Sequence, residues 1–275
     1  MDEARKGELE RVALEVRKDV VRMSGVARLH GLPSALALTD LLVYLYWERM
    51  KIFPDERNRF DRDRLVLSDP AASPALYACL ARRGFFEREE LWSYSRLGAT
   101  LQGYPDIRTP GVDAPGGTSG LGIALGLSAA LRCDGINSLV YCIMDTLALF
   151  HGAVWESLSE ASSSCDGGIV LVIGAAAPNE DSVSLGILDA AAIERRLGAF
   201  GWHTTAADGH DFNSMEYAFA EATLRDGPAA VIVRTQFDLN ALPGIGGSER
   251  PISADDVENA LSHLDMGINI GGDAE

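Results

Sequence analysis

The chain has 275 residues, with 24 basic against 40 acidic side chains and a net charge of −16. Such a balance repels phosphate backbones and anionic lipid, and so argues against nucleic-acid and membrane-surface roles. Lys6, Lys18 and Lys51 are its only lysines, which excludes any chemistry that needs a lysine later in the chain.

With 47% hydrophobic and 23% charged residues, the composition is that of a globular chain long enough for one large, well-buried domain. No apolar run approaches the roughly 18–20 residues of a membrane span, and the start Met1-Asp2-Glu3-Ala4-Arg5 does not read as a signal peptide. Cys79, Cys133, Cys142 and Cys165 show no CxxC or Cys/His spacing, and Cys142 lies in an apolar run as a reduced core cysteine would. A cytoplasmic location is the expectation.

In chain order, Leu9, Val12, Val16, Val20 and Met23 recur at helical spacing over residues 3–24, and residues 39–50 repeat the pattern. A short strand, Arg64-Leu65-Val66-Leu67-Ser68, is followed by a helix over 74–83 and a second short helix over 87–94. Residues 98–117 form a long loop rich in glycine and proline, of the kind that is functional more often than not. Thr118 to Leu131 reads as a helix packed closely through Gly120, Gly122 and Gly126. The apolar runs 138–144 and 168–177 read as central strands buried on both faces, with a helix over 150–162 between them. A helix over 212–225 precedes a third apolar run, 229–233. The alternation predicts an α/β fold: a parallel sheet with helices on both faces, in a single domain. Beyond Thr235 the patterning fades, so residues 1–240 read as the domain and 241–275 as loop and acidic tail with one short helix near 253–264.

Gly116-Gly117-Thr118-Ser119-Gly120-Leu121-Gly122 resembles the glycine loop of short-chain dehydrogenases. The preceding residues are loop where that motif needs a strand, and no Tyr-x-x-x-Lys pair follows. A P-loop is excluded because no Gly-Lys-Ser/Thr occurs. Close helix–sheet packing and an altered phosphate loop both remain open for these glycines.

Seven stretches, in order, carry a wider resemblance: Arg62-Asp-Arg-Leu-Val-Leu-Ser68, Ser73-Pro-Ala-Leu-Tyr-Ala78, Leu101-Gln-Gly-Tyr-Pro-Asp106, Thr109-Pro-Gly-Val112, Gly152-Ala-Val-Trp-Glu156, Ala199-Phe-Gly-Trp202 and Asp208-Gly-His-Asp211. The chain resembles the N-terminal, diphosphate-binding half of transketolase over roughly residues 9–240. The resemblance implies a thiamine diphosphate-binding fold, with Mg²⁺ anchoring the diphosphate. It also implies a C-terminal partner subunit that clasps the aminopyrimidine and supplies the glutamate for ylid formation.

Against that pattern the ligand positions have changed. The family's Gly-Asp-Gly-Glu falls on Asp145-Thr146-Leu147-Ala148, so Thr146 stands where the ligand Asp belongs, and Asp145 is the one carboxylate a single-residue slip brings near. Its asparagine falls within Ile173-Gly174-Ala175-Ala176, with Asn179 several residues late. Its Gly-Ser-Gly-His-Pro-Gly-Gly becomes Arg28-Leu29-His30-Gly31-Leu32-Pro33-Ser34, leaving His30 one place early if Asp40 fixes the register. Ser-Lys-Gly-His becomes Ser68-Asp69-Pro70-Ala71, Gly-His-Pro becomes Gly103-Tyr104-Pro105, and the late Lys-Gly-Lys-Gly becomes Phe237-Asp238-Leu239-Asn240. A tyrosine, with its ordinary pKa near 10, is a poor base at neutral pH. His30 and Tyr104 are therefore weak catalytic candidates, and Gly103, Gly120, Asp145 and Thr146 are vestigial cofactor-binding positions. Thiamine diphosphate and Mg²⁺ are expected for the family but not in the usual way for this chain. His151, Trp155 and Glu156 fall at the expected partner contact; Trp155 and Trp202 also read as core aromatics, and His210 and Asp211 as caps before the helix at Phe212.

The resulting expectation is a non-catalytic N-terminal subunit of a multi-subunit transketolase-like enzyme. It would pair with a C-terminal subunit, and with an intact N-terminal paralogue or a second copy of itself. The alternatives are a working half of a split transketolase with substituted ligands, and a repurposed site for a neutral or cationic ligand.

Overall fold

The computed structural model describes residues 1–29, 32–117, 120–164, 167–175, 189–224, 226–235, 242, 245 and 250–266. Helix α1 (Glu3–Ala27) starts where the Asp2 carboxylate accepts the Arg5 N–H, satisfying one of the donors that a helix start leaves free. It ends at Arg28, whose φ of +51° is left-handed. Its apolar stripe, Leu9, Val16, Val20 and Met23, is fully buried. Short α2 (Pro33–Ala37) leads into α3 (Thr39–Tyr44), which continues through a π-turn over Leu45–Arg49.

Strand β1 (Arg64–Leu67) precedes α4 (Ser73–Arg82); the segment Arg88–Ser93 is a 3₁₀ helix. After the long loop come α5 (Gly120–Cys133), β2 (Val140–Asp145), a 3₁₀ turn Thr146–Phe150, α6 (Gly152–Ser164) and β3 (Ile169–Ala175). Helix α7 (Ala190–Ala199), β4 (His203–Asp208), α8 (Phe212–Ala222), β5 (Ala229–Arg234) and α9 (Ala254–Asp265) complete the described elements. The sheet has five parallel strands in the order β1-β2-β3-β5-β4.

Why the central runs are almost wholly apolar follows from the two layers. Tyr141 and Ile143 of β2 point into a core shared with α1, α3, α4 and α8, whereas Val140, Cys142 and Met144 point into a second core beneath α5, α6 and α7. Helices thus cover both faces, as the alternation predicted. Burial of Asp63 at the start of β1 is offset by two backbone donors: its carboxylate accepts the Lys51 N–H at 2.9 Å and the Leu139 N–H at 2.8 Å.

Strand β4 and helix α7 have no counterpart in the sequence reading. β4 is the sheet edge, paired with β5 alone, and its His-Thr-Thr-Ala-Ala-Asp is half exposed, so it lacks the apolar run that marked its neighbours. Helix α9 lies where a short helix was predicted in the tail. A capping box between Ser253 and Asp256 starts it, and Ala260 and Leu264 join the α1 core.

Candidate functional site

In open parallel α/β sheets, ligands bind in the crevice outside the carboxyl ends of the strands. Here that edge gathers the ends of β1, β2 and β3, the glycine loop before α5, and the 101–106 loop. The Ser68 N–H donates to the Ile143 carbonyl at 2.7 Å, so the chain leaves β1 directly beside the end of β2. Asp69 follows, and Asp145 ends β2 opposite Gly174 of β3.

Both carboxylates serve as local caps. Asp69 Oδ1 accepts the Ala71 N–H at 2.9 Å, and Asp145 Oδ1 accepts the Ala148 N–H at 2.9 Å. Asp69 is only 6% exposed, and its Oδ2 is closed off from solvent. Burial and then the neighbouring Asp145 charge push the Asp69 carboxyl up to about 6, against weaker pulls from the Ala71 N–H and the Ser34 hydroxyl.

Two glycines at this edge are closely covered by protein. A Cβ on Gly120 would lie 2.7 Å from Ser68 Cβ, and one on Gly116 would lie 2.6 Å from Pro105 Cδ and 2.9 Å from the Leu67 carbonyl. Ser68 Oγ donates to the Gly117 carbonyl at 2.7 Å, tying the loop to β1. Close packing is thus what Gly116 and Gly120 provide. Gly103 is anchored to α4 by Ser73 Oγ, which donates to its carbonyl at 3.0 Å; Tyr104 beside it is 65% exposed. Thr146 is buried, and Leu147 and Phe150 in the same turn are half exposed. His30, Gly31, Thr118, Ser119, Cys165, Ala176, Asn179 and the segment 237–240 lie outside the described residues.

A magnesium ion bridging a diphosphate takes six oxygen ligands in near-octahedral geometry. At the position expected to give the carboxylate stands Thr146, and Asp145 has one oxygen committed to the Ala148 N–H. Gly174 and Ala175 carry no side-chain oxygen, so the end of β3 offers no side-chain ligand there. Asp69 adds a buried carboxylate beside Asp145 at the ends of β1 and β2. The described residues do not fit a magnesium-bound diphosphate.

His151, just before α6, and Glu156 within it are exposed. Trp155 is turned inward: its Nε1–H donates to the Leu149 carbonyl at 2.7 Å, and its ring meets that of Phe200 at 5.6 Å. Trp202 is buried, with Nε1–H on the Leu158 carbonyl at 3.0 Å. Asp211 caps α8 through the Asn213 N–H, as expected, but His210 reaches across the fold to Asp40. Sequence reasoning missed that contact because periodicity carries no signal for a pair 170 residues apart.

Residues 20–268 match the family described as transketolase, thiamine diphosphate binding domain. The chain is 30% identical over 244 residues to the 6-deoxy-6-sulfo-D-fructose transketolase subunit SqwG of Clostridium sp. strain MSTE9, covering 88% of this chain and 87% of that protein. It is 31% identical over 228 residues to the uncharacterised transketolase family protein y4mO of Sinorhizobium fredii, covering 80% of each. Human transketolase is 27% identical over 245 residues, which is 84% of this chain but 38% of the human protein. The crystal structure of Campylobacter jejuni transketolase superposes with a TM-score of 0.77 at 24% identity, covering 92% of this chain and 43% of that one.

Proposed function

The chain belongs to the transketolase family, within its thiamine diphosphate-binding domain, and we propose from that premise that it is a non-catalytic N-terminal subunit of a multi-subunit two-carbon ketol-transfer enzyme. One observation carries the reading. Asp69 sets a buried carboxylate, with Asp145 behind it, at the strand edge where a polyanionic cofactor would have to bind. Uncompensated negative charge in a poorly solvated crevice opposes an anionic ligand strongly.

Assembly remains as the role for such a chain. Its partner would be a C-terminal transketolase-like subunit, joined by an intact N-terminal paralogue or a second copy of this chain, with His151, Glu156 and the segment around Trp155 at the contact. The chain spans most of the length of SqwG and y4mO but well under half that of human transketolase, which supports a partner carrying the remainder. A cytoplasmic location is part of the same reading; no helix among the described residues is long and apolar enough to cross a membrane.

A second reading rests on the likeness to SqwG, which is described as a subunit of a sulfosugar transketolase. There the chain would be the working half of a split enzyme with substituted ligands. Calorimetric titration with thiamine diphosphate and Mg²⁺, with the C-terminal subunit present, separates the two. No saturable heat is the expected result. Micromolar, metal-dependent binding abolished by Asp145→Ala establishes the second reading instead.

A further inference from the structure

We propose that the cleft between the end of α1 and the start of α9 binds a small organic anion, an acidic head carried on an apolar body. None of its lining residues belongs to the strand-end crevice, and the proposal stands whether or not the chain holds the family's cofactor.

The cleft has a volume of about 670 Å³, within the range of small-molecule sites. Its walls are fixed by the packing of the two helices. A Cβ on Gly25 would lie 2.6 Å from Val257 Cγ2, so α9 is seated directly on the α1 backbone. The Ile252 N–H donates to the Leu29 carbonyl at 2.8 Å, which ties the approach to α9 onto the end of α1. Val26, Pro251, Ile252 and Val257 give the cleft an apolar lining.

Its charged groups are two arginines, Arg22 and Arg28, and no acid lines it. Both have positive charge to offer. The Arg22 Nη1 lies 3.3 Å from Asp19 Oδ1, but that one carboxylate also takes Arg82 at 2.7 Å and Arg88 at 3.0 Å. Three guanidiniums on one carboxylate leave positive charge over, and Glu15 offsets part of it through Arg82. Arg28 is exposed, and its guanidinium has no ion pair or hydrogen bond among the described residues. Of the acids in the first turns of α9, Asp256 is engaged by Arg250 and the Ser253 cap, and Asp255 and Glu258 are exposed outside the lining.

The backbone at Arg28 points the same way. Arg28 and Ser95 are the only described residues other than glycine with positive φ, and glycine is the ordinary occupant of such a helix end. An arginine there keeps a guanidinium on the cleft at a conformational cost that no hydrogen bond or ion pair of its side chain offsets. Guanidinium forks match the paired oxygens of a phosphate or carboxylate, and the apolar lining favours an organic body over the bare ion.

The test is calorimetric titration of the full chain with phenyl phosphate and with benzoate at constant ionic strength, with inorganic phosphate in parallel. Saturable binding of an organic anion is expected, and the tighter of the two assigns the head group. Inorganic phosphate should bind at least about tenfold more weakly than phenyl phosphate. Arg28→Gly should weaken binding about tenfold or more without lowering the thermal midpoint, because glycine accepts the left-handed backbone. Arg22→Gln should weaken it too, whereas Arg11→Gln, an exposed position on α1, should leave it unchanged. No saturable binding of either organic anion, full affinity in Arg28→Gly, or an equal loss in Arg11→Gln overturns the site. Inorganic phosphate bound as tightly as phenyl phosphate overturns the assignment to an organic anion.

Discussion

The Nδ1 of His210 lies 2.7 Å from Asp40 Oδ2, the same oxygen that the Arg17 guanidinium takes at 2.5 Å. Three elements are joined by this contact: α1 through Arg17, α3 through Asp40, and the β4–α8 turn through His210. Asp40 and Arg17 are each about nine-tenths buried. Removing the acid strands a buried guanidinium, so Asp40→Ala should cost about 3–5 kcal/mol in urea unfolding. A loss below about 1 kcal/mol would show that water repairs the site.

Titration of the same group gives an acid-limb prediction. Burial pushes the Asp40 carboxyl up, but Arg17 and His210 together hold it below its ordinary 3.8. A group depressed in the folded state adds stability above its unfolded pKa, and that contribution is lost as pH falls through the folded value. Unfolding followed from pH 6 downward should therefore show a shallower acid loss in Asp40→Asn than in the parent chain. Parallel acid limbs in the two proteins would contradict it.

Asp69 works with the opposite sign. Its folded-state value of about 6 stands above the ordinary 3.8, so the folded protein holds this proton more tightly than the unfolded chain. The favourable contribution is present below the ordinary value and disappears as pH rises through about 6. Asp69→Asn should raise stability at pH 8 by about 1–3 kcal/mol and bring the two proteins together near pH 4. An Asn variant less stable at pH 8 would place the carboxylate among the groups that hold the fold together.

Two glycines of α5 should respond in opposite ways. The Cβ of Gly120→Ala would meet Ser68 Cβ at 2.7 Å, between helix and strand, and should cost about 1–3 kcal/mol. Gly126 is exposed with nothing within 4 Å of its would-be Cβ, so Gly126→Ala should stabilise the chain by about 0.5–1 kcal/mol through helix propensity. Thermal unfolding of the pair reads both signs in one experiment.

Along α6 the packing and assembly roles separate by side chain. Trp155→Ala removes the ring contact with Phe200 and the bond to Leu149, and should destabilise the isolated chain by about 2–4 kcal/mol. Glu156→Arg, at an exposed position, should leave isolated stability within about 0.5 kcal/mol. Its expected effect is on co-purification with the C-terminal subunit; full assembly in Glu156→Arg would move the contact off this helix.

Much of the fold was legible because parallel central strands advertise themselves. Val140–Asp145 and Ile169–Ala175 are apolar on both faces, since each face meets a helical layer. β4 was not legible: at the edge, one strand neighbour and partial exposure permit His203, Thr204 and Thr205, which carry no strong period. Of the candidate site, the exchanges at Asp69, Thr146 and Tyr104 were visible as residue types set against a family pattern. Their consequences were not, because burial and partners belong to the folded chain.

By itself the sequence determined the alternating parallel architecture, the family, and the absence of lysine beyond Lys51. Only the tertiary structure decided that Gly116 and Gly120 are filled by Pro105, Leu67 and Ser68, that Trp155 faces inward, and that Asp69 is buried beside Asp145. The division has one physical cause. Periodicity reports which face of an element is apolar, whereas the pairing of β1 with β2 sets which distant side chains share a crevice, and that sharing fixes their charge and their hydrogen bonds.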